Sequence, residues 1–194
     1  MPVGSTFMKI IFSLMFIFAF NYIAYKGMKT SAVMLIAFAF ITLFTILSLI
    51  IPGLWKLQLG NFSPFFVFPF SSLMLTIFLI AETFFGWETA TFLAEETKDG
   101  ARVMPKALVY GTIAIAIICI LSVITSLGVI PWKVFGQSSA PLADLAVVHY
   151  GVIGNDIFAI LVYLAIIGSV AGWIVSAPRL LMAMAKDKLF FTQF

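Results

Sequence analysis

The stretch that decides the fold runs from Phe84 to Lys106 and reads FFGWETATFLAEETKDGARVMPK. An apolar run, Leu73 to Ile80, leads into it, and Glu82 and Gly86 then interrupt the apolar sequence. Glycine weakens a helix interior by about 1 kcal/mol relative to alanine. A carboxylate at membrane depth costs about 2.5–3.5 kcal/mol on insertion scales. We therefore predict an apolar span that is broken near Phe85 to Glu88.

The composition places the apolar runs in a membrane. Of the 194 residues, 63% are hydrophobic and 10% are charged, with a mean hydropathy of +1.17 and a net charge of +3. Ordinary soluble domains are about 45–50% apolar and about 25% charged. The unbroken apolar runs also differ from the alternating strands of a transmembrane barrel. The sequence predicts an all-α integral membrane protein, and its basic loop residues do not indicate a nucleic-acid partner.

Five membrane spans are predicted from runs of about 20 apolar residues. The first has Lys9 near its start and then apolar residues, as a signal peptide does, but no small-residue cleavage site follows it. We therefore interpret it as a retained helix, with a signal anchor as the alternative. The third span contains the break. The spans cover residues 7–25, 31–51, 69–94, 105–130 and 156–185 of one membrane-embedded segment, 1–194.

A short helix at the membrane interface is expected between the fourth and fifth spans. Leu142 to Tyr150 alternates apolar residues with Asp144 and His149 at a spacing that suits an interfacial helix. His149 is the only histidine in the chain. Since no second metal-ligating residue type lies beside it, an interfacial position is favoured over a ligand role.

The broken span and its following loop resemble a known family. FFGWE at 84–88, followed after a short spacer by AEETKDGARVMPKA at 94–107, is similar to the sixth transmembrane helix and next loop of amino acid permeases. These belong to the amino acid–polyamine–organocation superfamily. Asp99-Gly100 departs from the pattern, because many members have Asn-Pro there. The alternative to the resemblance is a generic helix with a stray glutamate.

The resemblance implies a fold and a function. It implies part of a leucine-transporter-type inverted-repeat bundle, covering about helices four to eight of roughly a dozen. The implied function is amino acid transport by alternating access, through cation-coupled symport or exchange. The implied partners are an amino acid or amine substrate, membrane lipid and the missing helices of the same permease. No cofactor is implied beyond a coupling H⁺ or Na⁺.

The resemblance also implies a substrate site in the broken span, with no catalytic or metal residues. The aromatic side chains would cover the substrate and favour bulky side chains, Gly86 would allow the break, and Glu88 is the motif glutamate. Glu82 departs from the usual apolar residue at its position. It would bind a cationic group, take a proton, or pair with a helix outside this sequence. The implied substrate-binding residues are Glu82, Phe84, Phe85, Gly86, Trp87 and Glu88.

A stripe of small residues marks the fifth predicted span. Gly168 and Gly172 have the G-x-x-x-G spacing that lets membrane helices approach closely, and Ser169 lies beside them. Helix packing is the default interpretation. In the family's fold, the eighth helix runs beside the first, so the resemblance implies that the stripe also lines the transport path.

The basic residues predict the orientation of the chain in the membrane. Eight fall on one side of the predicted topology and three on the other, and the side richer in Lys and Arg is cytoplasmic. We expect a multi-pass protein of the cell membrane with loops 26–30 and 95–106 and the C-terminal end in the cytoplasm. The eight are Lys26, Lys29, Lys98, Arg102, Lys106, Arg179, Lys186 and Lys188; the three are Lys9, Lys56 and Lys133.

Two other functional classes are weighed against transport. A membrane-embedded enzyme, such as a lipid-modifying transferase, needs Asp, His or Cys clustered at one membrane face. The acidic residues here are scattered along the chain. The remaining alternative is a truncated or structural membrane piece that has no activity by itself.

Overall fold

The computed structural model describes residues 3–81 and 86–189, with the backbone alone at 3–5, 87, 88, 95 and 96. All regular elements in these ranges are helices, which confirms the predicted all-α class. Two of them are 3₁₀ helices, at Leu59–Phe62 and Trp87–Glu96. The α-helices are α1 (Val3–Tyr25), α2 (Met28–Trp55), α3 (Phe70–Ala81), α4 (Gly100–Val129), α5 (Trp132–Phe135) and α6 (Pro141–Lys186).

Among the described residues, four helices are long and apolar enough to cross a membrane: α1, from Thr6, and α2, α4 and α6. Helix α3 is apolar but has 12 residues, against the roughly 20 that a full span requires. The third of the five predicted spans is therefore represented by a short helix and, after the undescribed residues, a 3₁₀ helix.

The turn between α1 and α2 depends on a glycine and a buried serine. Gly27 has a φ of +102°, a left-handed conformation that favours glycine after a helix end. The Ser31 hydroxyl donates to the Gly27 carbonyl oxygen at 3.1 Å, and the Ser31 amide donates to the same oxygen. Ser31 is fully buried, and the Gly27 carbonyl oxygen gives its hydroxyl the hydrogen-bond partner that a buried polar group needs.

Helix α6 is divided by a kink. Its 46 residues would extend about 69 Å at a rise of 1.5 Å per residue, more than twice the hydrocarbon thickness of about 30 Å. Gly151, at φ 72° and ψ −167°, interrupts the helical backbone. Nearby, a Cβ at Gly154 would lie 2.2 Å from the Tyr150 Cβ. The segment predicted as a separate interfacial helix thus precedes the kink.

The described chain forms two compact units. The first comprises Met1–Phe40, Thr89–Met104 and Ile166–Phe194. Its buried core contains Phe20, Ile167 and Ala171. Phe20 and Phe38 meet edge to face, with ring centroids 5.9 Å apart, a preferred arrangement for aromatic pairs.

The second unit comprises Ile41–Glu88 and Pro105–Ala165. Its buried core combines residues of α2, of α6 and of the position directly after α4, which are far apart in the chain. Lys56 and Tyr150 add polar contacts, since the Lys56 ammonium donates to the Val148 carbonyl oxygen at 2.9 Å and the Tyr150 hydroxyl donates to the Ser48 carbonyl oxygen. The core residues are Leu49, Ile130, Leu145, Ala146 and Phe158.

We predict different effects for alanine at the two glycines of the G-x-x-x-G stripe. A Cβ at Gly168 would lie 2.7 Å from the Cβ of Phe38, whereas nothing lies within 4 Å of a Cβ at Gly172 among the described residues. Gly168→Ala should therefore be less stable than Gly172→Ala by about 1–3 kcal/mol, the usual cost of overpacking. The measurement is the free energy of unfolding in detergent micelles, followed by circular dichroism.

Each substitution serves as the control for the other. Both replace a helical glycine by alanine, so both gain the same helix propensity, and the difference between them isolates the contact with Phe38. Equal stability of the two variants would contradict the packing described for the first unit.

Candidate functional site

The backbone is interrupted where the sequence predicts a broken span. Helix α3 ends at Ala81, and the next regular element among the described residues is the 3₁₀ helix that begins at Trp87. Between them, Gly86 is half-buried and has a φ of +97°. A residue with a side chain rarely adopts this conformation. The described backbone therefore has an interruption that requires glycine at position 86.

The structure describes only part of the predicted substrate site. Gly86 is described in full, and Trp87 and Glu88 are described as backbone at the start of the 3₁₀ helix. The other three predicted residues, Glu82, Phe84 and Phe85, lie outside the described residues. Their roles and the side-chain roles of Trp87 and Glu88 stay predictions.

The chain leaves the 3₁₀ helix through a tight turn. The Thr97 hydroxyl donates to the Leu93 carbonyl oxygen at 2.8 Å. Asp99 adopts a positive φ of 54°, and its carbonyl oxygen accepts the amides of Arg102 and Val103 at the start of α4. The bond from Val103 is the first helical bond of α4, and the bond from Arg102 uses an amide that a helix start would otherwise leave unpaired.

The turn has Asp99-Gly100 where the resembled pattern often has Asn-Pro. The packing of Gly100 accounts for the glycine. A Cβ at Gly100 would lie 2.3 Å from the carbonyl oxygen of Ala94. Such a contact with backbone atoms cannot be relieved by moving a side chain. A glycine is therefore needed at position 100 for the turn to close against the end of the 3₁₀ helix.

The predicted small-residue stripe has two different environments in α6. Gly168 is buried against Phe38 of α2, as helix packing predicts. Ser169 is exposed, and Gly172 has open space where a side chain would be. The Gly172 carbonyl oxygen accepts a hydrogen bond from the Ser176 hydroxyl at 2.6 Å. The stripe therefore has one packed glycine and, one turn later, a glycine with room beside it.

The kink in α6 is held against α2 by residues that sequence reasoning did not single out as contacts. Tyr150, directly before the kink, donates its hydroxyl hydrogen to the Ser48 carbonyl oxygen, 102 positions earlier in the chain. Lys56 binds the carbonyl of Val148 in the same segment. The only local signal is the pair of glycines, Gly151 and Gly154, directly after a short amphipathic segment.

His149 lies in the same contact. Its side chain packs near Gly53, where a Cβ would lie 3.6 Å from the imidazole Nε2 and 2.8 Å from the Cβ of Thr125. Both ring nitrogens are enclosed, and neither has a hydrogen-bond partner among the residues that the structure describes. The sequence predicts an interfacial position for His149; in the structure its ring packs between helices of the second unit.

An interrupted helix in a membrane provides polar groups that a continuous helix hides. A helix end leaves up to four carbonyl or amide groups without an intrahelical partner. In a membrane these groups are tolerated only where they face protein or a water-filled cavity. Amide ends favour a carboxylate, and carbonyl ends favour an ammonium group or a metal cation. An interruption of this kind lies at Gly86 in the described part of the chain.

Comparison with known proteins identifies the family. A family model described as amino acid permease matches residues 3–194. The branched-chain amino acid permease BcaP of Bacillus subtilis is 24% identical over 127 residues, which are 66% of this chain and 27% of that permease. The chain thus spans a minor part of the curated relative. No solved structure matches the chain. With its apolar helices and its family match, the chain is a membrane-embedded member of the amino acid permease family.

Proposed function

We propose that this chain forms part of the substrate path of a permease that carries amino acids across the cell membrane by alternating access. The observation that carries the proposal is the interruption at Gly86, with its φ of +97°, between α3 and the 3₁₀ helix that follows. In a member of the amino acid permease family, such an interruption is the expected location of a substrate site near the bilayer midplane.

The proposed substrates are amino acids with bulky apolar side chains. Phe84, Phe85 and Trp87 would form a large apolar wall beside the break. The relative from Bacillus subtilis is named for branched-chain amino acids, which supports the same class. The backbone around Gly86 would bind the substrate's charged groups, and H⁺ or Na⁺ would be the coupling ion. Further helices of the same permease would complete the site.

The role of Glu82 bears on whether the substrate's side chain is neutral or cationic, and an experiment can distinguish the two cases. On a regular helix it would lie one turn before Gly86 and on the same face. A buried carboxyl group without a partner favours its protonated form, whereas a cationic group beside it would keep it charged. The cation would be a basic residue of another helix or the side chain of a substrate such as lysine, arginine or a polyamine.

We also propose that Lys98 and the C-terminal end of α6 face the cytoplasm. The excess of basic residues on one side of the predicted topology supports this orientation. Lys98 is exposed in the turn before α4, and Gln137 is exposed between α5 and α6. These two positions flank α4 in the chain. The proposed topology puts them at opposite membrane faces, so labels at the two positions test the orientation.

Substitution of Gly86 tests the proposed site. In a permease that contains this sequence together with its remaining helices, Gly86→Leu should abolish leucine uptake, because a side chain would fill the break and strain the backbone. Gly27→Leu is the matched control, since Gly27 also has a positive φ, +102°, with open space around it in the turn after α1. Uptake per molecule at the cell surface is the measurement. Wild-type uptake by Gly86→Leu would contradict the site.

Glu82→Gln tests the charge of the substrate side chain in the same permease. If Glu82 binds a cationic side chain, competition by arginine and lysine should weaken by about 1.5–3 kcal/mol, the contribution of a hydrogen bond to a charged group. Competition by leucine should be nearly unchanged. Equal losses for both kinds of competitor would instead assign Glu82 a coupling or structural role.

Cysteine labelling tests the orientation. With Cys119, the chain's single cysteine, replaced by serine, Lys98→Cys should react with a membrane-impermeant maleimide only from the cytoplasmic side. Gln137→Cys should react only from the outside. Labelling of both positions from one side would refute the topology.

A further inference from the structure

The segment Ser63–Phe70, which reads SPFFVFPF, presents unusually large apolar side chains without protein cover. Phe66 is 88% exposed, Phe65 is 75% exposed and Phe70 is 72% exposed. The rings of Phe65 and Phe66 form an edge-to-face pair, at 5.1 Å between centroids. We refer to this segment as the aromatic loop. Exposed apolar surface of this extent is covered by lipid or by protein in a membrane.

The aromatic loop lies close to the end of two membrane-length helices. Helix α2 has 28 residues, or about 42 Å at 1.5 Å per residue, which matches the roughly 40–45 Å of a bilayer with its headgroup layers. It ends at Trp55, and the aromatic loop begins eight residues later. The end of α2 is therefore at the level of the lipid headgroups.

Two hydrogen bonds hold the segment directly before the aromatic loop against α4. The Gly128 carbonyl oxygen, in the last turn of α4, accepts the Gln58 amide at 2.9 Å and the Asn61 side-chain amide at 2.8 Å. A Cβ at Gly128 would lie 2.8 Å from the Cγ of Leu57, so this segment packs directly on the helix. These contacts hold the chain at the depth of the last turn of α4.

The charges around the aromatic loop complement phosphate groups. Lys56 lies seven residues before the aromatic loop, one residue after the end of α2. Lys133 lies in α5 with its ammonium group 5.5 Å from the ring centroid of Trp132. Trp132 in turn contacts Phe68, with ring centroids 5.9 Å apart. The sequence contains no Asp or Glu at 51–81 or at 107–143. Tryptophan and lysine together are typical of helix ends at the headgroup level.

Two apolar crevices beside the loop offer room for acyl chains. One, of about 170 Å³, lies between the loop and the residues Leu127 and Trp132. The other, of about 400 Å³, lies between the loop and the first turns of α3, with Leu73 and Thr76 in its lining. Both belong to the second unit, and phenylalanine is the most frequent residue in both linings.

We propose that the aromatic loop is a lipid-binding anchor at the membrane interface. Its phenylalanines enter the acyl region directly beneath the headgroups of one leaflet, and Lys56 and Lys133 bind the phosphates of anionic phospholipids there. Apolar side chains in such a position are buried by about 5–10 Å at the headgroup–acyl boundary. This inference concerns a surface outside the substrate site and does not depend on the proposed transport.

Fluorescence quenching in vesicles tests the anchor. The chain with Cys119→Ser and Phe66→Cys, labelled with an environment-sensitive fluorophore, is reconstituted into vesicles of phosphatidylcholine with phosphatidylglycerol. Lipids brominated near the headgroup should quench the label more than lipids brominated near the chain end, and aqueous iodide should quench it little. Phe65→Cys provides a second probe position. Gln137→Cys, exposed between α5 and α6, is the control that iodide should quench.

The alternative occupants give different results. Quenching of the Phe66 label by iodide as strong as that of the Gln137 label would mean that the loop faces water. Protection from both iodide and brominated lipid would mean that protein, from another helix or a second copy, covers it. Either result would overturn the proposal.

The phosphate contact is tested by lipid charge. In vesicles with phosphatidylglycerol, combining Phe66→Cys with Lys56→Gln and Lys133→Gln should reduce quenching by the shallow brominated lipid. In vesicles of phosphatidylcholine alone, which carry no net charge, the two lysine substitutions should change the quenching much less. An unchanged signal in the anionic vesicles would overturn the assignment of the lysines to phosphate.

Discussion

The need to pair every backbone amide and carbonyl inside the hydrocarbon layer governs this structure. Helices α1, α2, α4 and α6 meet that need by pairing their own backbone groups. The interruption at Gly86 departs from this regular pairing, because a positive φ there changes the direction of the chain. In the proposed function, the backbone at this interruption binds the charged groups of the substrate.

Glycines serve two separable purposes in the chain. Gly86 and Gly151 adopt positive φ angles, so they are needed for backbone conformation at the break and at the kink of α6. Gly168 and Gly128 instead have side chains of other helices or loops where their own would be. The first kind redirects the chain, and the second lets two segments approach. Both are purposes for which no larger residue substitutes without moving the backbone.

The family match and the geometry support each other at one place in the chain. The motif FFGWE contains the glycine whose φ is +97°, and the loop that follows contains Gly100, which closes against Ala94. The sequence motif and the backbone interruption therefore coincide at Gly86. Two other features lie outside that motif. The aromatic loop concerns the proposed contact with lipid, and the Lys56–Val148 hydrogen bond holds α6 to the end of α2.

The helical class, the membrane location and the position of the break could be predicted from sequence, because each depends on local properties. Runs of apolar residues and a glycine beside carboxylates express backbone and solvation preferences over a few turns. The spacing of Gly168 and Gly172 likewise predicted a helix contact. It could not tell which glycine is packed, because that depends on where Phe38 lies in space.

Only the tertiary structure decided the contacts between distant segments. The bond from Tyr150 to Ser48 crosses 102 positions of sequence, and the bond from Asn61 to Gly128 crosses 67. The enclosed ring of His149 has the same origin, because its neighbours come from α2 and α4. A sequence pattern records the preferences of each residue for water, lipid or helix. Which surfaces meet depends on the packing of whole helices, and no single stretch of the chain contains that information.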